Sequence, residues 1–101
     1  MNSKQEEKMD KIETLTLIEG NFSEEEAQEI LMNVFSAKIK FHQSTDFSSQ
    51  LRFGKQCETA KKRIPELNKE IEKVLQVVSE AKSKNKRLII TSGIDIYLSD
   101  D

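Results

Sequence analysis

Residues 60–81 read AKKRIPELNKEIEKVLQVVSEA, and the fold turns on how they are read. Ala60, Ile64, Leu67, Ile71, Val74, Val78 and Ala81 recur at spacings of four and three over three heptads, so one side of a helix becomes an apolar seam. Leu75 and Val77 broaden it. Pro65 has no N–H for the carbonyl of Lys61, so the helix either kinks there or begins there. Lys82, Lys84 and Lys86 suit the negative end of the helix dipole, and Asn85 is a fitting stop.

A seam needs a facing surface, and the residues upstream supply one. Ser23 is a good N-cap, and Glu26 three positions on can return the bond to complete a capping box. Glu24, Glu25 and Glu26 set negative charge against the positive end of that helix. Ala27, Ile30, Leu31, Val34, Ala37 and Phe41 form its stripe, which predicts a helix ending near His42 or Gln43. Lys38 falls within the stripe, with its stem packed and its ammonium at the edge. The two helices are expected to pair antiparallel through Leu31, Val34, Leu67, Ile71 and Val74.

Between them, residues 44–57 (STDFSSQLRFGKQC) read as a long inter-helix loop. Its apolar residues argue that it folds back, with Phe47 and Phe53 packed on the hairpin and Arg52 and Lys55 in solvent. Outside the helices the period changes to two. Ile12 to Ile18 predicts a first strand with Leu15 and Leu17 on one face, closed by the turn residues Gly20-Asn21. Leu88, Ile90, Ser92, Ile94, Ile96 and Leu98 alternate on one face of a last strand; a Ser92-Gly93 hairpin is the alternative. The expected fold is therefore α+β in the order β-α-α-β: an antiparallel two-helix hairpin whose N- and C-terminal strands pair antiparallel. One domain over residues 12–99 follows a flexible lead over residues 1–11.

With 101 residues there is room for one core. The lone Cys57 makes no internal disulfide, which favours a reducing compartment. The polar start lacks the apolar stretch of a secretory signal, and apolar runs of three or fewer exclude a membrane span, so a cytoplasmic protein is expected. Charge is uneven: residues 1–30 carry −6, residues 31–87 carry +7 and residues 88–101 carry −3. The acidic ends can neutralise the basic middle within the chain or in a second copy.

Motifs for chemistry are missing. Gly54-Lys55 lacks the upstream glycine and following hydroxyl of a phosphate-binding loop. His42 and Cys57 supply half of a zinc ligand set without paired spacing. With Asp46 they have the residue types of a nucleophilic triad, but a cysteine enzyme needs a convergence in space that spacing does not show. Cys57 is better read as a small half-buried residue, and His42 as a helix-end histidine. Glu24 to Glu26 serve the cap, and Asp100-Asp101 form a solvated terminus. No catalytic, cofactor-binding or metal-ligating residue is assigned.

The reading is a non-catalytic protein-interaction module that self-associates, as a homodimer, or binds another protein. A first strand of about seven residues reaches about 23 Å, whereas Leu88 to Leu98 reaches about 36 Å. That overhang would leave Ile94, Ile96 or Leu98 uncovered for pairing with a second copy, with Asp100-Asp101 near Lys84 to Arg87 of that copy. The alternative is a nucleic-acid-associated regulator. Arg52, Lys55, Lys61, Lys62 and Arg63 would meet phosphates and Phe47 and Phe53 would stack on bases, although the pI of about 5.5 argues against it.

Overall fold

The computed structural model describes residues 10–100. Strand β1 (Lys11–Phe22) leads into helix α1 (Glu24–Phe53), helix α2 (Glu58–Ser83) and strand β2 (Leu88–Tyr97). β1 and β2 form a two-stranded antiparallel sheet, so the β-α-α-β order holds. The chain gathers into two compact units: the strand pair, and the helical hairpin from Phe22 to Leu88. Most of the expected flexible lead lies outside the described residues; Lys11 already belongs to β1.

In the hairpin unit, α1 starts on the capping box. The Glu26 amide donates to Ser23 Oγ (3.1 Å), and the Ser23 amide donates back to Glu26 Oε1 (3.0 Å). The Ser23 amide is also the main reason the Glu26 carboxyl sits below its ordinary pKa. On α2, Ala60, Leu67, Val78 and Ala81 are buried, while Ile64, Ile71 and Val74 are half-buried. The seven-residue seam is therefore the sheltered side of α2, which packs on α1, and Leu67, at 1% exposure, is its largest fully buried side chain. Leu75 and Val77, expected to broaden it, stay exposed.

Pro65 neither starts α2 nor ends it, since the helix begins at Glu58. Lys61 and Pro65 are both exposed, so water can satisfy the carbonyl that proline leaves without a donor. Asn85 ends the helix in the left-handed conformation (φ 55°). The Lys86 amide reaches the Ala81 carbonyl (2.8 Å) and the Asn85 amide the Lys82 carbonyl (3.2 Å), the bond pair of a Schellman motif.

The predicted loop over residues 44–57 is corrected by the structure: α1 continues through Phe53, and the connection is only Gly54 to Cys57. Polar side chains that disfavour a helix are satisfied locally. Thr45 Oγ1 donates to the Phe41 carbonyl (3.0 Å), and Gln50 Nε2 to Asp46 Oδ2 (2.7 Å). Gly54, at φ 70°, is the actual stop, with its amide on the Gln50 carbonyl. The stripe of α1 also shifts. Past Val34 the sheltered positions are Phe35, Ser36, Ile39, His42, Asp46 and Ser49, whereas Ala37, Lys38 and Phe41 face solvent.

In the strand unit, β1 has 12 residues and β2 has 10, so β2 does not overhang β1. Gly20-Asn21 do not close the strand. Neither has a positive φ, and both lie within β1. β2 is one continuous strand, without a turn at Ser92-Gly93. Pairing continues to the open end, where the Leu98 amide donates to the Asp10 carbonyl (2.8 Å).

Candidate functional site

Two surfaces gather the residues singled out by sequence. The first is the tip of the hairpin. The Asp46 carboxylate accepts the Cys57 backbone amide at 2.7 Å, and Ser49 Oγ donates to the Lys55 carbonyl at 2.9 Å. These bonds hold the four-residue connection against the last turns of α1. Asp46 thereby accepts from both the Cys57 amide and the Gln50 side chain. Cys57 is the N-cap of α2 and half-buried, and His42 is buried at 9% exposure with its ring edge-on to Phe41. Among the described residues, no three His, Cys, Asp or Glu side chains are grouped to hold a metal ion.

The expected packing of the tip phenylalanines is not what the structure shows: Phe47 is 64% and Phe53 68% exposed. Both belong to the end of α1, where a rigid helix holds them, and neither can fold back as a loop residue would. Phe41 and Leu51 are exposed on the same segment. Arg52 and Lys55 are exposed as expected, Lys61 and Lys62 are exposed too, and none of the four forms an ion pair among the described residues. Arg63 differs, because it is half-buried and paired with Glu66. Phe41 and Leu51, exposed on this same segment, are not among the residues the sequence pattern singles out at the tip. A helix continued to the Gly54 stop would have revealed them.

The second surface is the β-ribbon. Ile94 and Ile96 are exposed on β2, joined by Ile89, the most exposed large apolar residue of the strand pair, and by Tyr97. On β1, Ile12, Leu15 and Leu17 are exposed, and Ile18 is the one buried strand residue. Side chains of both parities are involved, so both faces of the ribbon carry apolar groups in water. Ile89 and Tyr97 fall outside the Leu88–Leu98 alternation, which is why the pattern overlooks them. Asp95 is the only charged residue of β2. Its Oδ1 accepts Lys11 Nζ (3.2 Å) and the Thr14 hydroxyl (3.1 Å), and the Lys11 ammonium, followed by Thr14, holds this carboxyl below its ordinary pKa.

No helix among the described residues is long and apolar enough to cross a membrane. No protein-family model matches this sequence, and neither a curated protein nor a solved structure is significantly similar to it.

Proposed function

We propose that the protein is a non-catalytic interaction module that self-associates through its β-ribbon. The observation that carries this reading is that, among the described residues, the sheet has only two strands and carries apolar side chains exposed on both faces. Two strands alone are marginal in water, and an unpaired edge is a template for another strand. A second copy supplies both a pairing edge and apolar cover. A reducing, cytoplasmic setting suits the single free thiol. Sedimentation equilibrium at micromolar concentration is the test: a dimer of the 11.6 kDa chain is expected, and a clean monomer refutes the reading.

A second reading is favoured by the hairpin tip. Exposed Phe47 and Phe53 beside the exposed Arg52, Lys55, Lys61 and Lys62 suit a single-stranded nucleic acid, with stacking on the rings and phosphates on the cations. Fluorescence anisotropy with a labelled single-stranded oligonucleotide tests it. Binding should weaken with salt and fall when Phe47 and Phe53 become alanine; no binding at low salt removes it.

A further inference from the structure

Self-association through the ribbon leaves open which edge pairs and in what register, and the distribution of charge answers both. Natural edge strands are guarded by lysines, prolines or other charges that deter a new partner. β1 carries Lys11, Glu13 and Glu19 along its length. β2, from Leu88 to Tyr97, has no lysine and no proline, and its single charge, Asp95, is engaged by Lys11 and Thr14 of β1. The outer edge of β2 is the unguarded one.

Resting on the self-association reading, we infer that β2 pairs antiparallel with β2 of a second copy about a two-fold axis at Gly93, giving a four-stranded sheet with strand order β1-β2-β2-β1. In a continuous sheet, residues directly opposite share a face, so a two-fold axis normal to the sheet relates residues of like parity and passes beside a residue of the strand. Centred on Gly93, Ile90 lies opposite Ile96 of the second copy, Ile89 opposite Tyr97, and Ser92 opposite Ile94. Asp95 then lies opposite the hydroxyl of Thr91. Centring on Ser92 instead sets Asp95 against Ile89, the most exposed apolar residue of the strands. The two registers overlap equally and each sets two apolar pairs face to face; Gly93 is favoured because its one mismatch puts neutral Ser92, not charged Asp95, against an isoleucine, and each pair occurs twice by symmetry. A glycine on the axis also asks for no side-chain room where two backbones meet.

Thr91 gives the test, because it is exposed and faces the one charge. Thr91→Glu sets two like-charged pairs across the axis and should weaken the dimer at least tenfold in sedimentation equilibrium. Thr91→Lys sets opposite charges there and should leave the dissociation constant within about threefold. Circular dichroism of each variant checks the fold. Independently of any variant, hydrogen exchange of the unmodified protein should show concentration-dependent protection over residues 89–97 and none over residues 12–21. A dimer indifferent to Thr91→Glu, equal loss with both substitutions, or protection confined to β1 overturns the edge and register while self-association stands. A protein monomeric throughout overturns self-association itself.

Discussion

Replacing Leu67 by alanine tests the hairpin most directly. Leu67 is 1% exposed, whereas Leu75, eight residues later on the same helix, is 43% exposed. Both substitutions trade leucine for the better helix former, so intrinsic propensity nearly cancels between them. What differs is burial. Three carbon atoms leave the seam in Leu67→Ala, worth roughly 0.8 kcal/mol each by transfer, and the unfilled volume adds to that, for a total of about 2–5 kcal/mol. Leu75→Ala should cost about 1 kcal/mol or less, as half-exposed positions do. In urea, with a slope of about 1.5 kcal/mol/M, a loss of about 3 kcal/mol moves the midpoint down by about 2 M. The assay is urea unfolding followed by helical circular dichroism at one fixed protein concentration, so that association does not shift the midpoint between variants. A loss under about 0.5 kcal/mol for Leu67→Ala, or equal losses for the two leucines, would refute the seam.

Other perturbations address the ends of the elements. Ser23→Ala removes the acceptor for the Glu26 amide and should cost about 1 kcal/mol in thermal unfolding. Gly54→Ala meets open space but must hold φ near 70°, so it should destabilise by roughly 1 kcal/mol through backbone strain alone. Asp46→Ala frees the Cys57 amide and should speed tryptic cleavage at Lys55, while the helical dichroism changes little. The carboxyls of Glu26, Glu80 and Asp95 titrate below their ordinary values in the folded chain, so their contributions are complete above the ordinary carboxylate range and vanish as pH falls through the folded values. An acid titration of melting temperature should therefore decline from about pH 5 downwards, and Asp95→Asn should remove part of that slope.

The parts of this fold that sequence reveals are those where one periodicity has no competitor. Ala60 to Ala81 could only be a helix with one wet and one dry side, and Ser23 with Glu26 marks a helix start by reciprocal hydrogen bonding. The last ten residues of α1 were hidden for a physical reason. Ser44, Thr45, Asp46, Ser48 and Ser49 offer side-chain oxygens that compete for backbone amides and usually end helices. Here Thr45 bonds one turn back, Asp46 takes an amide from the next helix, and Ser49 takes up the Lys55 carbonyl from the connection. The bond from the Cys57 amide exists only once the chain has turned back after Gly54, so single-sequence propensity has no access to it. Gly54, directly after Arg52-Phe53, was the legible stop. Gly20-Asn21 misled in the opposite sense, because cross-strand pairing keeps turn-forming residues extended.

The corrected strand lengths change the grounds for association. With β1 at 12 residues and β2 at 10, no overhang remains to be covered, and the case passes to edges and side chains. Order in the ribbon comes partly from its root. Arg87 lies 3.9 Å from Glu26, so the chain enters and leaves the hairpin side by side, and the loop-closure entropy of bringing distant strands together is already met by helix packing. Burial is a separate matter, because Ile18 alone among the strand residues is buried. Fully covering one large apolar side chain is worth roughly 1.5–3 kcal/mol, and Ile89 on β2 forgoes most of that in a single copy while Ile94, Ile96 and Tyr97 forgo between a third and a half. Under the proposed pairing these two supports separate on dilution. The hairpin should keep its unfolding midpoint at nanomolar concentration, held by Leu67 and its neighbours, while amide protection in β2 falls as the second copy leaves. Loss of both together at dilution would mean that the helices, too, depend on the partner, and that the seam from Ala60 to Ala81 is not self-sufficient.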